Sequence, residues 1–403
     1  MAAPVSAREV QAAQRLLEGV SVVTPIEHSR HLSAAVGGYV GLKCENLQRT
    51  GSFKIRGAYV RIAKLTDEQR ARGVVAASAG NHAQGVALAA SMLGTTATVF
   101  MPTGAPLPKV AATKGYGAAI RLHGARIDDA LEEAGRYAEE TGRVLIHPFD
   151  HEDVIAGQGT VGLEVLAAMP DVATVVVPVG GGGLIAGMAV ALKAARPDIR
   201  IVGVQAQGAA SFAPSFEAGM PQALLEMSTI ADGIAVARPG TLPFALIRDL
   251  VDEVRTVSDE ALSRALLLCL ERSKLVVEPG GVAAVAAIAE DPTAFRAPVV
   301  AVLSGGNVDP LLLLRVIRHG LAVADRYVSV RLRIPDRPGE LARVLEELAA
   351  RGANVLEVEH VRTGRRLHIG EVEVELQLET SGPAHSADVV ARLEAAGYRV
   401  TFM

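Results

Sequence analysis

The sequence predicts an α/β protein in which helices cover parallel-type sheets, followed by a smaller α+β module of ferredoxin-like order. Three observations carry this reading. From residue 73 onward, short β-rich runs alternate strictly with helical patterns, and the same rhythm resumes from 152 to 322. After Asp325 charged residues become dense, and the order changes to strand, helix, strand, strand, helix, strand. Half of the 403 residues are hydrophobic, yet only 3% are aromatic and tryptophan is absent. The core must therefore be built from Ala, Val, Leu and Ile, as in stacked helices and buried strands.

Taken in order, residues 7–18 and 27–36 read as helices, and 39–45 as a strand that delivers the chain to Lys54. Next come a β-run at 73–78, a helix at 81–93, a strand at 96–101, a helix at 107–115, a strand at 118–122, a helix at 127–141 and a strand at 144–147. The second set holds helices at 152–168, 184–195, 242–250, 258–273, 281–289 and 310–322, with strands at 174–179, 199–205 and 299–303. The tail reads as strand 327–334, helix 339–351, strands 354–361 and 371–379, helix 385–396 and strand 398–402. This divides the chain into a large domain of 1–72 and 149–322, a small domain of 73–148 inserted in it, and a separate module of 325–403. Ligands of such α/β layers sit at the carboxyl ends of the strands.

Bulk properties exclude several classes. A net charge of −4 with no long run of one sign argues against nucleic acid or an acidic membrane as partner. Cys44 and Cys269 are isolated, which argues against a disulfide framework or a zinc site, so no metal is expected and a reducing cytoplasm is. Both thiols read as small buried hydrophobes. Residues 1–20 lack a basic-then-apolar signal segment. Val172 to Leu192 is uncharged and long enough to cross a bilayer, but Pro178 and four consecutive glycines would break a spanning helix. It reads as strand, loop and helix.

Three strand-to-helix junctions carry the chemistry. In Thr50-Gly51-Ser52-Phe53-Lys54-Ile55-Arg56-Gly57-Ala58, Ser52 is expected to cap a helix whose buried side holds Phe53, Gly57, Val60 and Ile62. A permanent ammonium at Lys54 would sit against the positive end of the helix dipole, a tension that vanishes if the amine condenses with a carbonyl. Alone, Lys54 reads as a surface lysine snorkelling from a helix end, and the other segments are what favour the Schiff-base reading. In Val175 to Leu184 a buried strand runs through Gly180, Gly181, Gly182 and Gly183 straight into a helix. Backbone amides and the helix dipole there can converge on a phosphate. No P-loop ending and no GxGxxG follows, which disfavours nucleotides and dinucleotides. Ser78-Ala79-Gly80-Asn81-His82 offers backbone amides, a hydroxyl and an amide side chain to a carboxylate, although a plain helix cap explains it too. Ser304-Gly305-Gly306-Asn307 ends a strand with a hydroxyl that could meet a ring nitrogen, although alone it is merely a turn.

Together with Ala231-Asp232-Gly233, these segments resemble, in order and over residues 5–322, the fold type II pyridoxal-phosphate enzymes, and within them threonine dehydratases (threonine ammonia-lyases). The tail from 325 resembles an ACT domain. The resemblance implies pyridoxal 5′-phosphate as cofactor, Lys54 as its Schiff-base lysine and Phe53 beside its ring. It further implies Asn81 on the ring hydroxyl, Gly180 to Gly183 on the phosphate and Ser304 on the pyridine nitrogen. Gly233 and Glu278 lie in matching segments. Ser78, Gly80, Asn81 and His82 would hold the substrate carboxylate. The implied reaction is elimination: Lys54 removes the Cα proton, the β-hydroxyl leaves, protonated by the cofactor phosphate, and L-threonine yields 2-oxobutanoate and ammonia, or L-serine pyruvate and ammonia. The alternatives are a serine or aspartate racemase of the same fold and a catalytically dead amino-acid sensor. For the tail, Asp336, Gly339 and Asn354 resemble the effector-binding edge of ACT domains. That implies an amino-acid effector, of the branched-chain type, acting on a homo-oligomer (dimer or tetramer); a dimerisation module without ligand is the alternative.

Overall fold

A computed structural model describes residues 5–323, 325–362 and 367–403. Two compact units divide the chain, one reaching to Asp309 and the other starting at Pro310.

The first unit contains strands β1 (Ile26–His28), β2 (Val40–Cys44), β3 (Val74–Ala77), β4 (Ala97–Met101), β5 (Ala119–Leu122), β6 (Val144–Leu145), β7 (Thr174–Pro178), β8 (Arg200–Ala206), β9 (Glu253–Val257) and β10 (Val299–Leu303). They form a six-stranded sheet in the order β1-β2-β10-β7-β8-β9 and a four-stranded sheet in the order β5-β4-β3-β6. All neighbours pair in parallel except β1 with β2. The continuous apolar runs Val175–Val177 and Val299–Leu303 follow from this, because a parallel strand covered on both faces has no polar side to show.

The helix Lys54–Ala63 lies between the two cores. Val60 belongs to the core around the large sheet, with Val175, Ile185 and Val300, whereas Ile55, Ala58 and Ile62 belong to the core around the small one, with Val74, Ala76 and Val86. It is therefore buried nearly all round rather than on one side. Even its arginine is inside. Arg56 donates to both carboxylate oxygens of Glu45 at 2.8 and 2.9 Å and to Glu164 at 2.6 Å, and Lys43 donates to Glu164 at 2.5 Å. Two cations and two carboxylates thus neutralise one another out of water, with Thr24 and Thr160 filling the remaining valences. The Glu45 carboxyl is held below its usual range against its own burial by the Arg56 guanidinium.

Helix Lys54–Ala63 approaches the helices Asn81–Met92 and Glu152–Ala168 so closely that glycine is required at the crossings. A β-carbon on Gly157 would meet the Arg56 carbonyl at 2.6 Å, and one on Gly85 the Lys54 backbone at 3.0 Å. This pins the backbone under the lysine from two sides.

The second unit holds the helix Pro310–Val323 and an antiparallel sheet of β11 (Tyr327–Pro335), β12 (Asn354–Val361), β13 (Glu371–Glu379) and β14 (Val400–Phe402), ordered β12-β13-β11-β14. One face of β11 and β13 alternates inward, so that Val330, Leu332, Val374 and Leu376 meet Val344 and Leu348 of the helix Glu340–Ala350 and Leu393 of the helix Pro383–Ala395.

Four expectations change. The helix expected at 27–36 starts only at Arg30, because Ile26–His28 adds to the edge of β2. The helix expected at 258–273 ends in α form at Leu268 and widens into a π turn over Cys269–Ser273, with Lys274 left-handed. Strand β9 is absent from the sequence reading, since Glu253-Val254-Arg255-Thr256-Val257 is a half-charged edge. Ser52 does not cap its helix: Phe53 occupies the cap position with helical backbone, and Ser52 instead bridges to Gly305 with its hydroxyl buried and unpaired. Both cysteines are buried, and burial pushes their thiols up to about 12. No described helix is long and apolar enough to cross a membrane.

Candidate active site

Lys54 is the first residue of its helix and is half-buried. Its Nζ donates to the Pro148 carbonyl at 2.9 Å and lies 5.0 Å from the centre of the Phe53 ring. Burial pulls the ammonium down to about 8, against the opposing attraction of Glu278. Loss of water does this, rather than the helix dipole to which the sequence points. A lysine with that pKa is neutral for a useful fraction of the time near pH 8, as both a nucleophile and a base require.

Around the amine the chain closes a ring of short segments. The Phe53 N–H donates to the Ser304 carbonyl and the Gly306 N–H to the Gly51 carbonyl, which ties the lysine turn to the end of β10. The Glu278 N–H donates to the Gly305 carbonyl, bringing in Glu278-Pro279-Gly280-Gly281. Ile234 packs against both Gly280 and Gly180, so the glycine loop after β7 joins next. Phe149 then covers Gly181 and Gly183, and its neighbour Pro148 returns to Lys54.

The loop Gly180–Gly183 leads directly into the helix Gly183–Ala195. Its walls explain the glycines. A β-carbon at Gly181 would lie 2.5 Å from Phe149 ring carbons, and one at Gly182, where φ is +95°, would lie 2.7 Å from Ile247. Backbone amides at a helix N-terminus, crowded by apolar side chains, form a cradle for an anion that side chains would fill.

The turn after β3 is different in kind. Ser78 Oγ accepts the Gly80 N–H at 3.1 Å, and a β-carbon on Gly80 would meet nothing within 4 Å. Asn81 starts the next helix, donating to Glu278 at 2.6 Å and accepting from Asn307 at 2.7 Å. His82 is turned away: its buried ring donates to the Ile146 carbonyl at 2.7 Å, and burial pushes it down to about 3, leaving it neutral. Only its backbone N–H can face a substrate.

Glu278 is buried and stands near Gly233, whose β-carbon would lie 3.1 Å from its carboxylate. Burial first, and Asp232 second, push this carboxyl up to about 7. Asp232 itself pairs with Lys109 of the small sheet's helix Leu107–Gly115 at 2.6 Å, a link between the two sheets' layers.

The structure therefore brings Lys54, Phe53, Asn81, Gly180–Gly183, Gly233, Glu278 and Ser304 around one space, with Ser78 and Gly80 on its rim. It does not join the effector residues in the same way. Asp336 and Gly339 line a cavity of about 310 Å³ with His360 and Arg362, whereas Asn354 lines another of about 460 Å³ with Glu379 and His385. Both β11 and β12 run antiparallel to the β13 between them, so these residues stand at opposite ends of the sheet.

Sequence reasoning missed His147-Pro148-Phe149-Asp150. This turn supplies the lysine's acceptor and the wall of the glycine loop, and Asp150 accepts the Thr241 and Leu242 N–H groups at 2.9 Å each. The only signal was its position, a short strand running into a helix like the other three junctions. Gln158 was also missed.

Do these residues suit a phosphorylated pyridine aldehyde? A half-neutral lysine fits the aldehyde, and the glycine cradle the phosphate. Two buried oxygens, Ser52 Oγ and Gln158 Oε1, have no hydrogen-bond partner among the described residues, and the second lies beside Gly183 of the loop, where a ligand's polar groups could pair with it. The donor set fits.

A family model described as pyridoxal-phosphate dependent enzyme matches residues 18–305, and one described as ACT domain matches residues 328–397. The chain is 46% identical to an L-threonine ammonia-lyase of Thermotoga maritima over 98% of this chain and 99% of that one. It is 43% identical to the catabolic L-threonine dehydratase TdcB of Escherichia coli (strain K12), over 76% of this chain and 94% of that one. Among solved structures, a threonine deaminase of the organism abbreviated T.th. is 42% identical with a TM-score of 0.72, over 75% of this chain and 99% of that one. Maize serine racemase is 40% identical with a TM-score of 0.74, over 79% and 98%.

Proposed function

The chain belongs to the family of pyridoxal-phosphate-dependent enzymes and ends in an ACT domain, and from that premise we propose that it is an L-threonine ammonia-lyase. It converts L-threonine to 2-oxobutanoate and ammonia, and L-serine to pyruvate and ammonia, by α,β-elimination. One observation carries this: the Lys54 amine, drawn down to about 8, is held at Pro148 beside an apolar-walled glycine cradle.

Pyridoxal 5′-phosphate, when bound, supplies the carbonyl that captures the substrate amine and a ring that withdraws electrons from its Cα. The rest falls to the chain. Gly180–Gly183 would hold the phosphate through backbone N–H groups, and Phe53 would wall the ring. Ser304, buried just past the end of β10, would meet the pyridine nitrogen with a neutral hydroxyl. Unlike a carboxylate, it does not enforce ring protonation, which weakens the electron sink and suits expulsion of a β leaving group. Asn81, fixed by Glu278 and Asn307, presents its amide to the ring hydroxyl. Ser78, Gly80 and the first N–H groups of the Asn81 helix take the substrate carboxylate. Lys54 Nζ, held at the Pro148 carbonyl, would accept the Cα proton.

The same reading assigns 1–72 and 149–322 as the large domain, 73–148 as the small one and 325–403 as the regulatory domain. It takes the protein as a cytoplasmic homo-oligomer, dimer or tetramer, whose ACT domain binds a branched-chain amino acid. Against the likeness to a serine racemase, the racemase reading lacks its second acid–base group, because Ala79 puts a methyl where relatives of that activity carry a hydroxyl.

Steady-state keto-acid production from threonine and serine, with and without isoleucine and valine, tests the assignment and the effector together. The purified protein should absorb in the visible, and Lys54→Ala should lose both that band and, by at least about a thousandfold, the activity. An unchanged spectrum in the variant would sink it.

A further inference from the structure

Gln158 stands in the middle of the helix Glu152–Ala168, 1% exposed, with its amide between the two parts of the site. Its Nε2 donates to the Pro148 carbonyl at 3.4 Å, the same oxygen that holds Lys54. Its Oε1 has no hydrogen-bond partner among the described residues. It lies 2.7 Å from where a β-carbon of Gly183 would be. Gly183 is the first residue of its helix, and Cα–Cβ bonds tilt toward a helix N-terminus. The space where Oε1 sits therefore opens toward the mouth of the glycine loop. The other atoms nearest the absent side chains of Gly180–Gly183 belong to Ile234, Val236, Phe149, Ile247, Pro243 and Phe212. Gln158 Oε1 is the one polar side-chain atom in that set.

An amide oxygen can only accept. Beside a phosphate with two charges it would face an oxygen that also can only accept, and both would stay unpaired at close range. Beside a phosphate that keeps one proton, the O–H donates to Oε1 and both are satisfied. Backbone amides at the loop and the positive end of the helix dipole favour the doubly charged form, and the buried acceptor works against them. Rotating the amide to present Nε2 instead would set Oε1 against the Pro148 carbonyl. The surrounding charges do not overrule this. Arg56 pairs with Glu164, Arg248 with Asp249, and Asp150 accepts the Thr241 and Leu242 N–H groups. Asp153 pairs with Arg61 and Lys64, His147 is neutral because burial pushes it down to about 4, and Lys54 donates to Pro148.

We infer that Gln158 is a cofactor-binding residue that holds the phosphate of pyridoxal 5′-phosphate in its singly protonated form, through a hydrogen bond from the phosphate O–H to Oε1. This rests on the reading of Gly180–Gly183 as the phosphate site.

The test is a phosphorus-31 NMR titration of the full-length protein saturated with pyridoxal 5′-phosphate. A free phosphate monoester loses its second proton near pH ~6. In the wild type the bound resonance should change only at least about one pH unit higher, a roughly tenfold tighter hold on the proton. In Gln158→Met, of similar shape and without the acceptor, the midpoint should return to about pH 6 or below while the cofactor stays bound. A wild-type resonance already fully shifted at about pH 6 overturns the inference, and does so even if the variant fails to fold. The same midpoint in both proteins overturns it as well. A missing bound resonance, or a bound one whose affinity is unmoved by Gly181→Asp, is a different failure: it removes the phosphate reading and the inference with it.

Discussion

Two strand-to-helix turns face the same lysine and are built on opposite principles. After β3, Ser78-Ala79-Gly80-Asn81 presents polar side chains, and its glycine has open space beside it. After β7, Gly180–Gly183 presents no side chain at all, and every position is closed by a neighbouring side chain or backbone. Glycine in the first turn leaves room for something that comes and goes. In the second it is the only residue the walls allow. On the proposed assignment, the first would take a substrate that exchanges at every turnover and the second a cofactor phosphate that stays.

The largest way to break this contrast is to put the same kind of change in both turns. Gly181→Asp drives a side chain into Phe149 and a carboxylate toward the amides, so cofactor affinity should fall at least about a hundredfold, the loss of one or two charge-assisted hydrogen bonds. Gly80→Ala should keep its cofactor on dialysis and lose about tenfold in kcat/KM for threonine, a methyl's worth of crowding. Equal cofactor loss from the two variants would show that the crowding around the glycine loop is irrelevant.

Beneath both turns lies the buried ion cluster that fixes the helix of Lys54. Arg56→Met leaves Glu45 and Glu164 buried with Lys43 as their remaining cation, and should cost roughly 3–5 kcal/mol of unfolding free energy by denaturant titration. If the variant unfolds at the parent midpoint, the cluster does not hold the frame.

The turns should also differ in their response to acid. His82, under the first, has its folded pKa depressed to about 3, and His147, beside Pro148, to about 4. An unfolded histidine takes up its proton near pH ~6.5, so the unfolded state binds more protons below that point. Stability is then full above pH ~6.5 and falls as pH drops toward about 4, by at most about 1.4 kcal/mol per pH unit for each ring. His82→Gln should flatten that acid slope in a pH series of thermal melts, and an unaltered slope would mean that the ring is not held neutral.

The smallest effect sharpens the first turn further. Ala79→Ser adds a hydroxyl able to carry a proton, and weak new Cα epimerisation of serine should appear on chiral chromatography, with essentially none from the wild type. Substantial D-serine from the wild type would move the assignment to the racemase.

Alternation of short apolar runs with helical patterns was enough to place both sheets and the antiparallel module, because burial on two faces leaves a strand no choice of residue. The glycine loop and the lysine turn were legible for a related reason: each is local, a strand end followed within a few residues by a helix start. Gln158, Phe149 and the Pro148 carbonyl were not legible. Their sequence neighbourhood says helix and turn, and nothing in it says that a carbonyl 94 positions along will take the Lys54 hydrogen bond. Ser52 fails the same test, since a serine before a helix looks like a cap until Gly305, just past β10, pairs with it and leaves its hydroxyl free. The sequence by itself determined the strands that are covered on both faces, though not the edges β1 and β9, and also which turns lack side chains and which lysine stands at a helix start. The tertiary structure alone decided that the lysine is desolvated, which carboxyl rises toward neutrality, and which buried oxygens lack partners. Those properties depend on what is removed from water by segments far apart in the chain, and no local pattern encodes them.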